Sequence, residues 1–129
     1  MHMSDENIFE EYKKVAMAIE KIHVTDNELI LEWKYRNKED NIFLFKDLKK
    51  ATIITTDEGP FEEDVFWLLL FKIIIMIPQC AGTDKLLERL QKLPGFDNEN
   101  VIKAMTCSKN DSFLVWEKKE DTHLPASGD

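Results

Sequence analysis

Ile8, Phe9, Tyr12, Val15, Ala16 and Ile19 recur at helical spacing, and Glu10, Glu11, Lys13 and Lys14 fill the positions between them. The spacing predicts an amphipathic opening helix. Its second half stays open, because Val15, Met17 and Ile19 also alternate as a strand would. From Lys21 the period becomes two: Ile22 and Val24 share one side, a TDNE turn follows, and Leu29, Leu31 and Trp33 alternate with Ile30, Glu32 and Lys34. That pattern predicts a hairpin. A second turn, RNKEDN, leads to a short strand from Ile42 to Phe45, and KDLKK connects it to a β-rich run of Thr and Ile from Thr52 to Thr56.

Gly59-Pro60 breaks the chain, and Val65 then opens VFWLLLFKIIIMI, a run apolar on both faces. Such a run predicts a central strand or one covered by a helix. Residues 66–77 read either as one long bent strand or as a hairpin with its tip at Phe71, Lys72 and Ile73, where no turn-forming glycine or asparagine is found. After Pro78 the period is helical: Thr83 is placed as an N-cap, Leu86, Leu87, Leu90 and Leu93 form a stripe, Arg89 and Lys92 suit the C-terminal dipole, and Pro94-Gly95 ends it. Asp97 caps a further helix, with Phe96 and Val101 spaced as a hydrophobic staple and Val101, Ile102 and Met105 expected on the core side. From Ser112 to Lys118, Phe113, Val115 and Glu117 alternate with Leu114 and Trp116 as a closing strand. These elements make a single α+β domain, mainly an antiparallel sheet, with an N-terminal helix and two helices in the C-terminal half. It is expected to span residues 8–119, between a loose stretch 1–7 and a polar tail 120–129.

Composition narrows the function classes. A chain of 129 residues supports one core of ordinary size, and 43% hydrophobic residues with only 4 Gly and 4 Pro exclude a low-complexity or disordered chain. The 25 acidic against 17 basic residues give −8, a field that repels phosphate backbones and anionic membranes. Neither nucleic acid nor a membrane is therefore an expected partner. Lys13-Lys14, Lys49-Lys50 and Lys118-Lys119 are short pairs flanked by acids, and the apolar run 65–77 is too short to span a bilayer and is interrupted by Lys72. Cys80 and Cys107 form no CxxC motif and no signal peptide precedes them, which points to the cytoplasm and to buried, apolar roles for both thiols.

Catalytic signatures are missing. There is no GxSxG, no Cys/His arrangement and no GxGxxG or GxxxxGK phosphate cradle, and the acidic loop lacks EF-hand spacing. No cofactor and no metal is expected. His23 falls with Lys21 and Thr25 on the exposed side of its strand, and Trp33, Trp67 and Trp116 are expected in the core. A small hydrolase using His23 or the loop acids is a third reading behind two others.

The first of those two starts from TTDEGPFEEDVFWLLL, whose corner holds Asp57, Glu58, Glu62, Glu63 and Asp64 and no cation. Such a loop is either a solvated turn or a docking surface for a cationic partner. The second starts from Phe71, Lys72 and Ile73: at a hairpin tip they form an exposed apolar patch of the kind that marks an interface.

Three segments, TTDEGPFEEDVFWLL, LLERLQKLPGFDNENVIKAM and FLVWEK, together with IPQ and Gly82, resemble a family of small uncharacterised bacterial cytoplasmic proteins over roughly two thirds of the chain. The leading hairpins and the KDL connection are similar in layout to pleckstrin-homology-like small barrels, in which a helix closes a twisted antiparallel sheet. Two features depart from that likeness, the strand after the helices and the lack of a glycine near Phe71. Small bacterial domains of this kind look like immunity proteins that neutralise a toxin. The resemblance implies an acidic, non-enzymatic inhibitor of a basic nuclease-type partner, and the alternative is a self-associating structural or adaptor domain using residues 71–75.

Overall fold

The computed structural model describes residues 5–35, 39–57, 59 and 63–119, for the first three of which only the backbone is described. Among them the chain forms α1 (Asp5–Ala16), β1 (Ile19–Val24), β2 (Glu28–Trp33), β3 (Asn41–Leu44), β4 (Lys50–Thr55), β5 (Val65–Leu70), β6 (Ile74–Pro78), α2 (Asp84–Leu90), α3 (Asn98–Met105) and β7 (Asp111–Glu117). Short 3-10 turns follow β3 and β6. The protein is α+β, with every described strand pairing antiparallel. No helix among the described residues is long and apolar enough to cross a membrane.

The strands divide into two sheets, ordered β1-β2-β3 and β6-β5-β4-β7. Alternation sends Ile22, Leu29, Leu31 and Phe43 of the first sheet, and Ala51, Ile53, Trp67, Leu69 and Ile77 of the second, into one shared core. Full burial of each large side chain there contributes about 1.5–3 kcal/mol. The other face of the four-stranded sheet, with Phe66, Leu68 and Met76, is covered by Phe9, Tyr12 and Ala16 of α1. Phe9 meets Phe66 edge to face at 5.7 Å between ring centroids. Helix on one side and sheet on the other explain why β5 is apolar on both faces.

The opening helix ends at Ala16, and Ile19 pairs with Trp33 as the first residue of β1. The ambiguous second half of the pattern therefore belongs to both elements. Residues 66–77 form a hairpin: Leu70 faces Ile74, and Phe71 N–H donates to Ile73 O at 2.9 Å. The tip needs no glycine, since no non-glycine residue among those described takes a positive φ.

Asp97 caps α3 as expected, its Oδ1 accepting from Asn100 N–H at 2.9 Å. Thr83 stands at the N-cap of α2, but its hydroxyl makes no cap bond, being buried with the core. Arg89 and Lys92 reach across to the β1–β2 turn, where Arg89 Nε donates to Asp26 O at 2.7 Å and Lys92 lies 3.8 Å from the Asp26 carboxylate.

Several expected placements are corrected. Ile102 is 65% exposed and Met105 is exposed too, because the short α3 meets the core only through Val101 and Ala104. In β7 the strict alternation fails: a register shift opposite Ala51 and Thr52 adds one residue, so Val115 and Trp116 are both buried. The cysteines are not buried. Cys80 is exposed on the turn after β6, and Cys107 is half-buried beyond α3. The last described strand, β7, follows the helices and joins β4 at the sheet edge, so the four-stranded sheet ends in a strand.

Candidate interaction site

The acidic corner is held by backbone pairing at its base. Thr56 N–H donates to Asp64 O at 2.8 Å, Asp57 N–H to Asn110 Oδ1 at 3.2 Å, and the Thr55 hydroxyl to Lys109 O at 2.7 Å. Gly59 lies against the Asp64 carboxylate so closely that a Cβ at position 59 would collide with Oδ2. Glu58 and Glu62 fall outside the described residues. Asp57 is exposed and Asp64 half-buried, and among the described residues neither they nor Glu63 forms an ion pair with a lysine or arginine.

Glu63 has another task. Its Oε1 accepts the Cys80 backbone N–H at 2.7 Å, a charge-assisted bond that ties the corner to the turn after β6. Although Cys80 is exposed as a residue, partial desolvation of its thiol pushes it above its usual range, and the Glu63 hydrogen bond and charge push it further. A protonated thiol is a poor nucleophile, which speaks against Cys80 as an attacking group. His23 stands on the outer face of the three-stranded sheet, its Nε2 2.8 Å from Glu32 Oε1. No cluster of three His, Cys, Asp or Glu among the described residues has the geometry to hold a metal.

The hairpin residues separate. Lys72 and Ile73 are exposed, Ile73 by 58%. Phe71, expected at an exposed tip, is instead only 3% exposed and packs on the ring of Phe43 at 5.1 Å. The turn directs it inward, between the two sheets.

Beside the hairpin lies a cleft of about 340 Å³, lined by Tyr12 and Val15 from α1, Ile19, Leu31, Trp33, Asn41 and Phe43 from the three-stranded sheet, and residues 73–76. Its polar residues are few: Tyr12, Asn41 and Trp33, whose Nε1 donates to Asn41 Oδ1 at 2.8 Å. Val15, Ile73 and Ile74 stand exposed around it, and Ile42 is exposed on the neighbouring groove that Asp47, Phe71 and Lys72 also line. An apolar concavity with a few convergent polar groups is how binding sites are commonly built. The run at 71–75 was legible as an interface candidate, but Val15, Trp33 and Phe43 enter the site only when α1 and both sheets meet. No protein-family model matches the chain, and no curated protein or solved structure does either.

Proposed function

We propose that the chain is a non-enzymatic protein-binding domain, working in the bacterial cytoplasm as the motif resemblance implies, and that its contact face is the cleft with the exposed hairpin residues Lys72 and Ile73. The observation supporting this reading is the ring of exposed aliphatic side chains, Val15 at 57%, Ile73 and Ile74, around an apolar cleft. Contiguous exposed apolar surface of this kind marks an interaction site in a water-soluble chain. A photo-reactive residue at position 73, compared with one at the exposed position 102 on α3, tests it. A discrete adduct specific to position 73 supports the face, and an adduct of twice the chain mass identifies self-association. Equal labelling at both positions abandons it.

The acidic corner favours a second reading, an immunity-type inhibitor steered to a basic toxin. Asp57 and Asp64 have no cationic partner among the described residues, and the whole chain carries −8. Neutralising Asp57, Glu58 and Glu62 to their amides should slow association with the captured partner and flatten its salt dependence. Unchanged kinetics leave a solvated turn. Glu63 is spared in this test because it holds Cys80.

A further inference from the structure

We propose, building on the reading of this face as a contact surface, that the cleft takes an extended peptide segment of the partner, an aliphatic residue flanked by a basic one, which adds as a strand to the free edge of β6.

The register shows which backbone groups are free. Thr56 N–H bonds Asp64 O, and the same ladder pairs Ile54 with Phe66, Thr52 with Leu68 and Lys50 with Leu70, so the even-numbered residues of β5 turn their N–H and C=O toward β4. Leu70 O also turns to that side, accepting at 2.7 Å from Lys49 N–H, one residue before its register partner Lys50. Odd-numbered Trp67 and Leu69 then turn toward β6, matched by Ile77 and Ile75. Ile74 and Met76 must direct their N–H and C=O away from β5. β6 ends its sheet, and no described residue outside β5 bonds to either of them.

That edge opens on the cleft. Ile73 closes the turn, and Ile74, Ile75 and Met76 follow it in β6 with side chains pointing to alternate faces, yet all four line the same cavity. A cavity at the edge of a strand meets consecutive residues in this way, since the two faces converge there. The edge is most open at Ile74, which is 41% exposed, whereas Met76 is 4% exposed and lies under α1 at the inner end of the cleft. An extended backbone offers alternating donors and acceptors at the matching repeat, which is the basis of strand addition.

Size and charge choose the occupant. A volume of about 340 Å³ lies at the lower end of the roughly 300–1,000 Å³ of ligand pockets and is too small for a helix about 10 Å across. It suits one or two aliphatic side chains on a floor of Ile19, Leu31 and Phe43. Two folded copies would have to join β6 to β6 through Met76 residues each only 4% exposed, whereas a single extended segment need only enter the cleft. Glu39 and Asp40, exposed and without an ion-pair partner among the described residues, lead directly into Asn41 on the cleft wall, whereas Lys72 stands at the hairpin end. A basic residue of the segment belongs beside Glu39 and Asp40.

The test is a titration of ¹⁵N-labelled full chain with a blocked hexapeptide alternating Ile and Lys, and with the same peptide carrying Glu for Lys. The lysine peptide should shift the Ile74 and Met76 amides and slow their hydrogen exchange, and the glutamate peptide should not. Glu39→Lys with Asp40→Lys should weaken the lysine peptide by roughly three- to tenfold and favour the glutamate one. Ile74→Pro, tolerated on an edge strand, should reduce binding by removing one donor; if it does not fold, Val15→Lys at the exposed rim should do so by repelling the basic peptide. Several results overturn the assignment: no shift at saturating peptide, equal response to both peptides, decanoate reproducing the shifts at Ile74 and Met76, or a dimer that Ile74→Pro dissolves. A specific adduct at position 73 without peptide binding removes strand addition alone, whereas loss of both removes the contact face.

Discussion

Phe71 and Ile73 are two residues apart, and the same substitution at each should have opposite consequences. Phe71→Asp removes a ring that is 3% exposed and packed on Phe43. Truncating a buried Phe costs about 3–5 kcal/mol, and a carboxyl group left in that apolar site adds roughly 1–3 kcal/mol even when it is protonated. The sum is comparable with the ~5–15 kcal/mol that holds a domain of this kind folded. Ile73→Asp, at a position 58% exposed, forfeits less than half of a buried-Ile contribution, about 1 kcal/mol or less. Urea titration followed by tryptophan fluorescence reads the difference, since Trp67 and Trp116 are buried reporters. At about 1–3 kcal/mol per molar of denaturant, Phe71→Asp should be unfolded or lose most of its midpoint, and Ile73→Asp should fall by about 1 M at most. Equal midpoints would refute the assignment of Phe71 to the core. The same pair makes Ile73→Asp, and not Phe71→Asp, the variant with which to probe binding.

Two further outcomes follow from local contacts. Asp97→Ala should destabilise the protein by about 1 kcal/mol by freeing the Asn100 N–H at the start of α3; a change below the error of a urea titration would show that the cap contributes nothing. Glu63→Gln should bring the Cys80 thiol down toward its usual range, because the carboxylate's charge raises it. More thiolate is then present at a given pH, so alkylation of Cys80 by iodoacetamide near pH 8 should be faster, with Cys107 in the same chain as reference; an unchanged rate ratio would mean that burial alone sets the thiol.

Elements whose side chains see a single neighbouring layer were legible from the chain alone. The α1 stripe, the β1–β2 hairpin around TDNE, the Leu stripe of α2 and the Asp97 cap depend on periodicity and on groups within a few residues of each other. The composition likewise dictated a single core of ordinary size and a net charge of −8, because both are sums over residues. The candidate site was legible only at its hairpin, in the uncharged run after Lys72.

Contacts between distant segments decided the rest. Phe71 turns inward because Phe43, 28 positions earlier, offers it a ring, and Val115 and Trp116 are both buried because β7 shifts its register against β4. Ile102 and Met105 stay exposed since α3 turns only Val101 and Ala104 into the core, Met105 meeting the side-chain amide of Gln79 at 3.5 Å, and Glu63 is drawn from the acidic corner by an amide 17 residues onward. The cleft itself has no counterpart in any one stretch. It exists because the edge of one sheet stops short of the face of another beneath a helix, and local periodicity holds no information about how far apart two sheets come to rest.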